Sequence, residues 1–266
     1  MRISALFILG IAMSTGVAFG GDRGLAEAPG GSNQALIVSV GHGLSGLDLD
    51  VKMVKAIATH PGHDYRVAEL AEDQARVADV KKALTQAAQD ARDGSMMFYY
   101  TGHGGVGTLW LQDTMIKVEE IRQAIADGRK NMGPLKRLVL IYDSCHAGSM
   151  MDGMRKLFGF GLVQDEAAQN AMVADTLVNE FTRTNRDEAK YWDKLMVIAS
   201  SRADENSLAS PIGSVFTVAM KKSFDESVAA NHTVGKFIEL AQKYTEGHHP
   251  VSRLVPAELA NEKMIR

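Results

Sequence analysis

Apolar positions along this chain fall into two rhythms, short continuous runs and stripes at helical spacing. From Ala35 onward the two alternate. Ala35–Val40 is a short apolar run stopped by Gly41, the form of a buried strand, and Val51, Val54 and Ala58 then recur at helical spacing. Tyr65–Leu70 is a second strand candidate, and Val77, Val80, Leu84, Ala87 and Ala91 make an apolar stripe for a second helix. Met96–Tyr100 predicts a third strand. Val118, Ile121 and Ile125 predict a third helix, closed by Asp127-Gly128. Leu135–Tyr142 and Leu195–Ala199 predict two more strands, and helices are expected near 214–224 and 233–244. The stretch 151–192 is rich in Met, Asn and charge, and shows no assignable period.

Alternating strands and helices predict an α/β fold with a mostly parallel central sheet and helices on both faces. No internal repeat or internal domain boundary breaks the alternation. In such folds chemistry gathers beyond the C-terminal strand ends. Three glycine-bearing polar turns fall there, at 41–46, 101–105 and 143–148.

The first residues follow another pattern. Met1-Arg2 precedes an apolar run from Ile3 to Met13, and small residues lead to Ala18-Phe19-Gly20. The run is shorter than the ~20 residues that span a bilayer. Residues 1–20 therefore read as a secretory signal peptide, and 21–34, Gly-rich and polar, as a flexible leader. No later run is long and apolar enough to predict a membrane span.

Composition narrows the classes further. The chain has 266 residues and a net charge of −3, so no global basic field points to nucleic acid. A single cysteine, Cys145, excludes an intramolecular disulfide framework and any CxxC metal or redox site. In an exported chain a lone thiol has no partner and is open to oxidation, which turns attention to what surrounds it.

Two loops carry candidate chemistry. Gly41-x-Gly43-x-x-Gly46 has the spacing of a dinucleotide loop and stands between a strand and a helix, but Asp48 and Asp50 would repel a pyrophosphate there. Dinucleotide binding is kept as a minor reading. The other pair is His103 and Cys145, each just past an apolar strand in a turn that contains glycine. If those strands are neighbours, an imidazole and a thiol converge at one sheet edge, the requirement for an activated sulfur nucleophile. His42, in Gly-His-Gly, is the rival base and reads more simply as a histidine lining the cleft.

The wording of the two turns goes further. Phe98-Tyr99-Tyr100-Thr101-Gly102-His103-Gly104-Gly105 and Ile141-Tyr142-Asp143-Ser144-Cys145-His146-Ala147-Gly148-Ser149 resemble the two signature blocks of caspase-like cysteine peptidases, especially metacaspases and their bacterial relatives. The segments Ile198–Glu205 and Val215-Phe216-Thr217 extend the resemblance, which covers about residues 35–225. It implies a caspase-like sandwich, with the peptidase domain over 35–250 and a tail over 251–266.

The resemblance also implies roles. His103 is the general base, Cys145 the nucleophile, and the N–H groups of Gly104 and Cys145 the oxyanion hole. Asp50, Thr101 and Asp143 match the family's pocket for a basic side chain, so the expected activity is endopeptidase cleavage after Arg or Lys. The expected partner is thus a polypeptide with a basic residue before the scissile bond. A caspase-fold module that binds partners with little or no turnover is the second reading. Ala147, Leu47 and Thr101 depart from the family pattern without touching the His–Cys pair. No cofactor is implied. The family's calcium site is weakly matched: Asp152 fits one position, while the acidic run expected after the histidine block is missing, with only Asp113 near that block. Basic specificity would also make Arg155, Lys156, Arg183 and Arg186 candidate self-cleavage sites.

Overall fold

The structure, a computed structural model, describes residues 33–105, 107–145, 191–202, 207–245 and 247–265. The signal peptide, most of the leader, Asp152 and the candidate self-cleavage sites lie outside the described residues.

A six-stranded sheet runs in the order β2-β1-β3-β7-β8-β9. Its strands are β1 (Gln34–Val40), β2 (Arg66–Ala71), β3 (Ser95–Gly102), β7 (Arg137–Asp143), β8 (Leu195–Ala199) and β9 (Val251–Val255). All neighbours pair in parallel except β9, which runs antiparallel to β8. Gln34, assigned by sequence to the leader, opens β1. Residues 251–255, assigned to the tail, instead form the edge strand, with Leu195 opposite Val255. Val251-Ser-Arg-Leu-Val is too short and too polar to separate from a loop by periodicity, and its pairing with β8 decides it.

The period-2 alternation of each strand sorts its side chains between two cores. Met96, Phe98 and Tyr100 face the cluster built with α2 (Val77–Asp90) and α3 (Val118–Arg129). Met97 and Tyr99 face the cluster built with α1 (Leu47–Ala58), α4 (Val215–Ala229) and α5 (Val234–Tyr244). Each fully buried Leu, Ile or Phe in these layers contributes about 1.5–3 kcal/mol of transfer free energy. The sheet is thus covered on both faces, as the alternation predicts.

α3 does not stop at Asp127-Gly128 but continues to Arg129. A Cβ at Gly128 would lie 2.5 Å from the Thr85 carbonyl oxygen and 2.8 Å from Ala88 Cβ. The glycine sets the close approach of α2 and α3 rather than ending the helix. Between β3 and α3 the chain forms a second, three-stranded antiparallel sheet of β4 (Gly104–Gly105), β5 (Thr108–Trp110) and β6 (Met115–Lys117).

Candidate active site

β3 and β7 are neighbours in register, with Thr101 opposite Asp143. His103 and Cys145 therefore both stand two residues beyond a paired position, at the C-terminal ends of adjoining strands. The turns that carry them touch through Gly104. A Cβ there would lie 2.5 Å from Ser144 Oγ and 2.7 Å from the Cys145 carbonyl oxygen, so only glycine fits without displacing that turn. Both His103 and Cys145 are half-buried.

The backbone of His103 is held from the β5 side. Its carbonyl accepts the Trp110 N–H at 3.0 Å and the Tyr100 hydroxyl at 2.7 Å. Tyr100 belongs to the face opposite Thr101, so its ring sits in the core while its hydroxyl reaches up to fix the turn. The His103 ring lies 5.9 Å from the Trp110 ring and 6.5 Å, stacked, from the His42 ring. His42 Nε2 is 3.2 Å from the Leu111 carbonyl oxygen, so the structure makes it a neighbour of His103 tied to the β5 loop.

Cys145 leans to the other side. Its thiol donates to the Ser207 carbonyl at 3.5 Å. The Ser207 hydroxyl in turn donates to Asp143 Oδ1 at 3.1 Å. One residue thus links the thiol to the acid two positions before it.

Thr101 and Asp143 share the face that carries Tyr99 and Ile141, and α1 delivers Asp50 to the same place. The Thr101 hydroxyl donates to Asp50 Oδ2 at 3.2 Å, and the Ser214 N–H donates to Asp50 Oδ1 at 2.7 Å. The Ser214 hydroxyl donates to Asp143 Oδ2, so Ser214 bridges the two acids. Thr217 Oγ1 donates to the same oxygen at 2.7 Å, and Tyr99 adds a longer bond at 3.4 Å. Asp50 and Asp143 are 1% and 3% exposed, and among the described residues their hydrogen bonds come from neutral hydroxyls and an amide.

Two carboxyls so placed cannot both hold their charge cheaply. Burial, then the nearby Asp143, raises the Asp50 carboxyl to about 7. Burial raises Asp143 as well, against the hydroxyl bonds that favour its charged form. Tyr99, beside both, is pushed up by burial and by their charges. The two acids are thus a buried pair whose affinity for a proton is raised.

The glycine loop at 41–46 is accounted for by this packing. The Gly41 N–H donates to Glu72 Oε1 at 3.0 Å. Gly46, left-handed at φ 83°, begins α1 in contact with the Ser210 carbonyl, and Gly213, at φ 105°, approaches the Asp50 carboxyl. Residues 210–213 pack against the start of α1, where a pyrophosphate would dock, which argues against the dinucleotide reading. Asp113 caps α2, accepting the Val77 N–H at 3.0 Å. Among the described residues no group of three or more His, Cys, Asp or Glu is placed to hold a metal ion. Asp113 is thus committed to the helix.

The sequence matches the caspase domain over residues 32–253. The chain belongs to the caspase-domain family. That makes it a member of a cysteine peptidase family. A solved protein from Geobacter sulfurreducens shares the fold at a TM-score of 0.61 and 17% identity, covering 87% of this chain and 97% of its own. Caspase-1 from Spodoptera frugiperda shares it at a TM-score of 0.55 and 14% identity, covering 88% and 93%. No curated protein matches the sequence.

In this caspase-domain chain, sequence reasoning missed the hydroxyl cage of Tyr99, Ser207, Ser214 and Thr217. Only Ser214 carried a local signal. It is a serine before an apolar helix, and it caps α4 by accepting the Thr217 N–H at 2.9 Å. Trp110 was missed too. It is 46% exposed beside His103, in a three-residue strand that carries no periodic signal.

Proposed function

We propose that this caspase-domain chain is an exported cysteine endopeptidase that cleaves after Arg or Lys. The observation that carries the proposal is the buried Asp50–Asp143 pair, bridged by Ser214 and linked through Ser207 to Cys145. A guanidinium or ammonium entering there would supply the positive charge that the hydroxyls lack, and an arginine could bond both carboxylates at once.

In the proposed reaction Cys145 Sγ attacks the carbonyl carbon of the scissile bond while His103 takes the thiol proton. Gly104 and Cys145 N–H groups stabilise the oxyanion of the tetrahedral intermediate. The C–N bond breaks as His103 returns the proton to the leaving amine, leaving a thioester on Cys145. A water, deprotonated by His103, then attacks the thioester, and the acid leaves with the thiol restored.

The acids are too buried in this arrangement to meet a substrate side chain. Residues 207–213, which lie over them through Ser207 and Gly213, must shift before a basic residue enters. The same closure favours the second reading, a binding module with little turnover. Hydrolysis of fluorogenic peptides with Arg, Lys, Asp or Asn before the scissile bond separates the two, with Cys145→Ala in parallel and calcium present or absent. Arg and Lys turnover lost in the variant supports the peptidase. Turnover of Asp or Asn peptides alone overturns the pocket assignment, and silence on all four moves the conclusion to the binding module.

A further inference from the structure

The end of the sheet remote from Cys145 holds a feature that peptide cleavage does not use. A cavity of about 480 Å³ opens at the starts of β1, β3, β7 and β8, lined by Asn33, Ser95, Lys136, Arg137, Lys194 and Lys263 among others. Parallel pairing puts these starts on one side, and the length of β7 separates them from the His103–Cys145 turns by roughly 20 Å.

The wall is strongly cationic. Arg137 Nη2 donates to Glu262 Oε2 at 2.7 Å, and Lys194 bonds the other oxygen of the same carboxylate. Two cations thus share one anion. Lys136 and Lys263 are exposed at the rim, and Lys263 Nζ donates to the Asn231 carbonyl at 2.7 Å. Asp193 is the acid in the lining. Set against Asp193 and Glu262, the four cations leave an excess of two positive charges at one opening.

The frame of the cavity is built in advance. Asn33 Oδ1 accepts the Ser95 N–H at 2.9 Å, and its amide donates to the His63 carbonyl at 2.7 Å. The His63 ring is wedged between the Ile57 and Met264 carbonyls, each 3.1 Å away. A volume of this size falls within the roughly 300–1,000 Å³ range of small-molecule sites and exceeds what one phosphate fills. Ammonium groups flanking an already shared guanidinium suit charge spread over several oxygens rather than one planar carboxylate.

We propose that this cavity binds a small molecule carrying a diphosphate, held by Lys136 and Lys263 at the rim and by the Arg137–Lys194 pair within. Inorganic pyrophosphate and a nucleoside diphosphate share that chemistry.

The test is isothermal calorimetry on the full chain with sodium pyrophosphate and, separately, with ADP, at an ionic strength fixed with chloride. The expected result is saturable one-site binding of at least one of them. Binding of ADP assigns the esterified form, and binding of pyrophosphate alone assigns the inorganic one. The pair Lys136→Glu/Lys263→Glu should weaken binding by at least ~10-fold, and Lys136→Ala/Lys263→Ala should weaken it less. Lys52→Glu/Lys82→Glu, the same charge change on exposed helix positions, should leave it unchanged. Unfolding midpoints without ligand check that every variant is folded. Absence of saturable binding by the wild type, or equal loss in the rim and control variants, overturns the proposal.

Discussion

Asp50→Asn removes one charge from a buried acid pair while keeping the shape of the side chain, and its effect on stability follows from linkage. Burial, with Asp143 beside it, pushes the Asp50 carboxyl from its ordinary 3.8 up to about 7 in the folded protein. Between those values the folded state binds this proton more tightly than the unfolded chain does. The contribution is therefore fully present below about pH 3.8 and is lost as pH rises through about 7. A shift of about three units corresponds to about 4 kcal/mol by which the ionised carboxyl weakens the fold above neutrality. Asparagine escapes that cost. It keeps an oxygen for the Ser214 N–H but presents an amide toward Thr101, so about half the gain should survive, ~2 kcal/mol. In a domain of this size that is roughly 4–8 °C in Tm. Urea unfolding of wild type and variant at about pH 4 and about pH 8 reads it directly. The gain should appear at the higher pH and vanish at the lower. A variant less stable at about pH 8, or a gain of equal size at both, refutes the argument that the pair holds a proton under strain.

Other expectations follow from single contacts. Gly104→Ala places a Cβ 2.5 Å from Ser144 Oγ and 2.7 Å from the Cys145 carbonyl, so kcat on an Arg peptide should fall ~10–100-fold while the protein stays folded. Gly128→Ala drives a Cβ to 2.5 Å from the Thr85 carbonyl. It should cost ~1–3 kcal/mol in urea unfolding despite alanine's better helix propensity, with kcat unchanged. Inhibition by a small cation such as benzamidine should tighten as pH rises through about 7, because Asp50 must lose its proton to hold it. The inhibition constant of Asp50→Asn should be nearly flat over that range. A wild-type constant independent of pH would contradict the pocket.

The parallel-sheet strands and both helical layers are legible because each element repeats its rhythm over several residues, while the strand order comes only from the pairing. β3, with Met96, Phe98 and Tyr100 on one face and Met97 and Tyr99 on the other, reads unambiguously as a buried strand. The small β4-β5-β6 sheet did not, since strands of two or three residues hold too few positions to show a period, nor did β9, which is too polar, and tertiary pairing alone selects them. Gly128 was misread because a glycine required by helix–helix approach looks in sequence like a helix stop. At the candidate site, His103 and Cys145 stand out in the sequence as residues just past strand ends in turns with glycine, whereas Asp50, Thr101 and Asp143 enter only through the resemblance to caspase-like peptidases. The hydroxyl cage was not legible, because Ser207 lies in a loop whose serines resemble any turn and Ser214 shows in sequence only as a helix cap. Their role exists only once β7 and the start of α4 are side by side.

The account turns on Cys145 being a nucleophile served by an acidic pocket. Labelling with a peptide chloromethyl ketone ending in Arg, against its counterpart ending in Asp, tests both halves together, with the modified residue located by mass spectrometry. The Arg reagent should alkylate Cys145 far faster than the Asp reagent, and both His103→Ala and Asp50→Asn should slow it sharply. A thiol that ignores both reagents, or that prefers the one ending in Asp, would contradict the account.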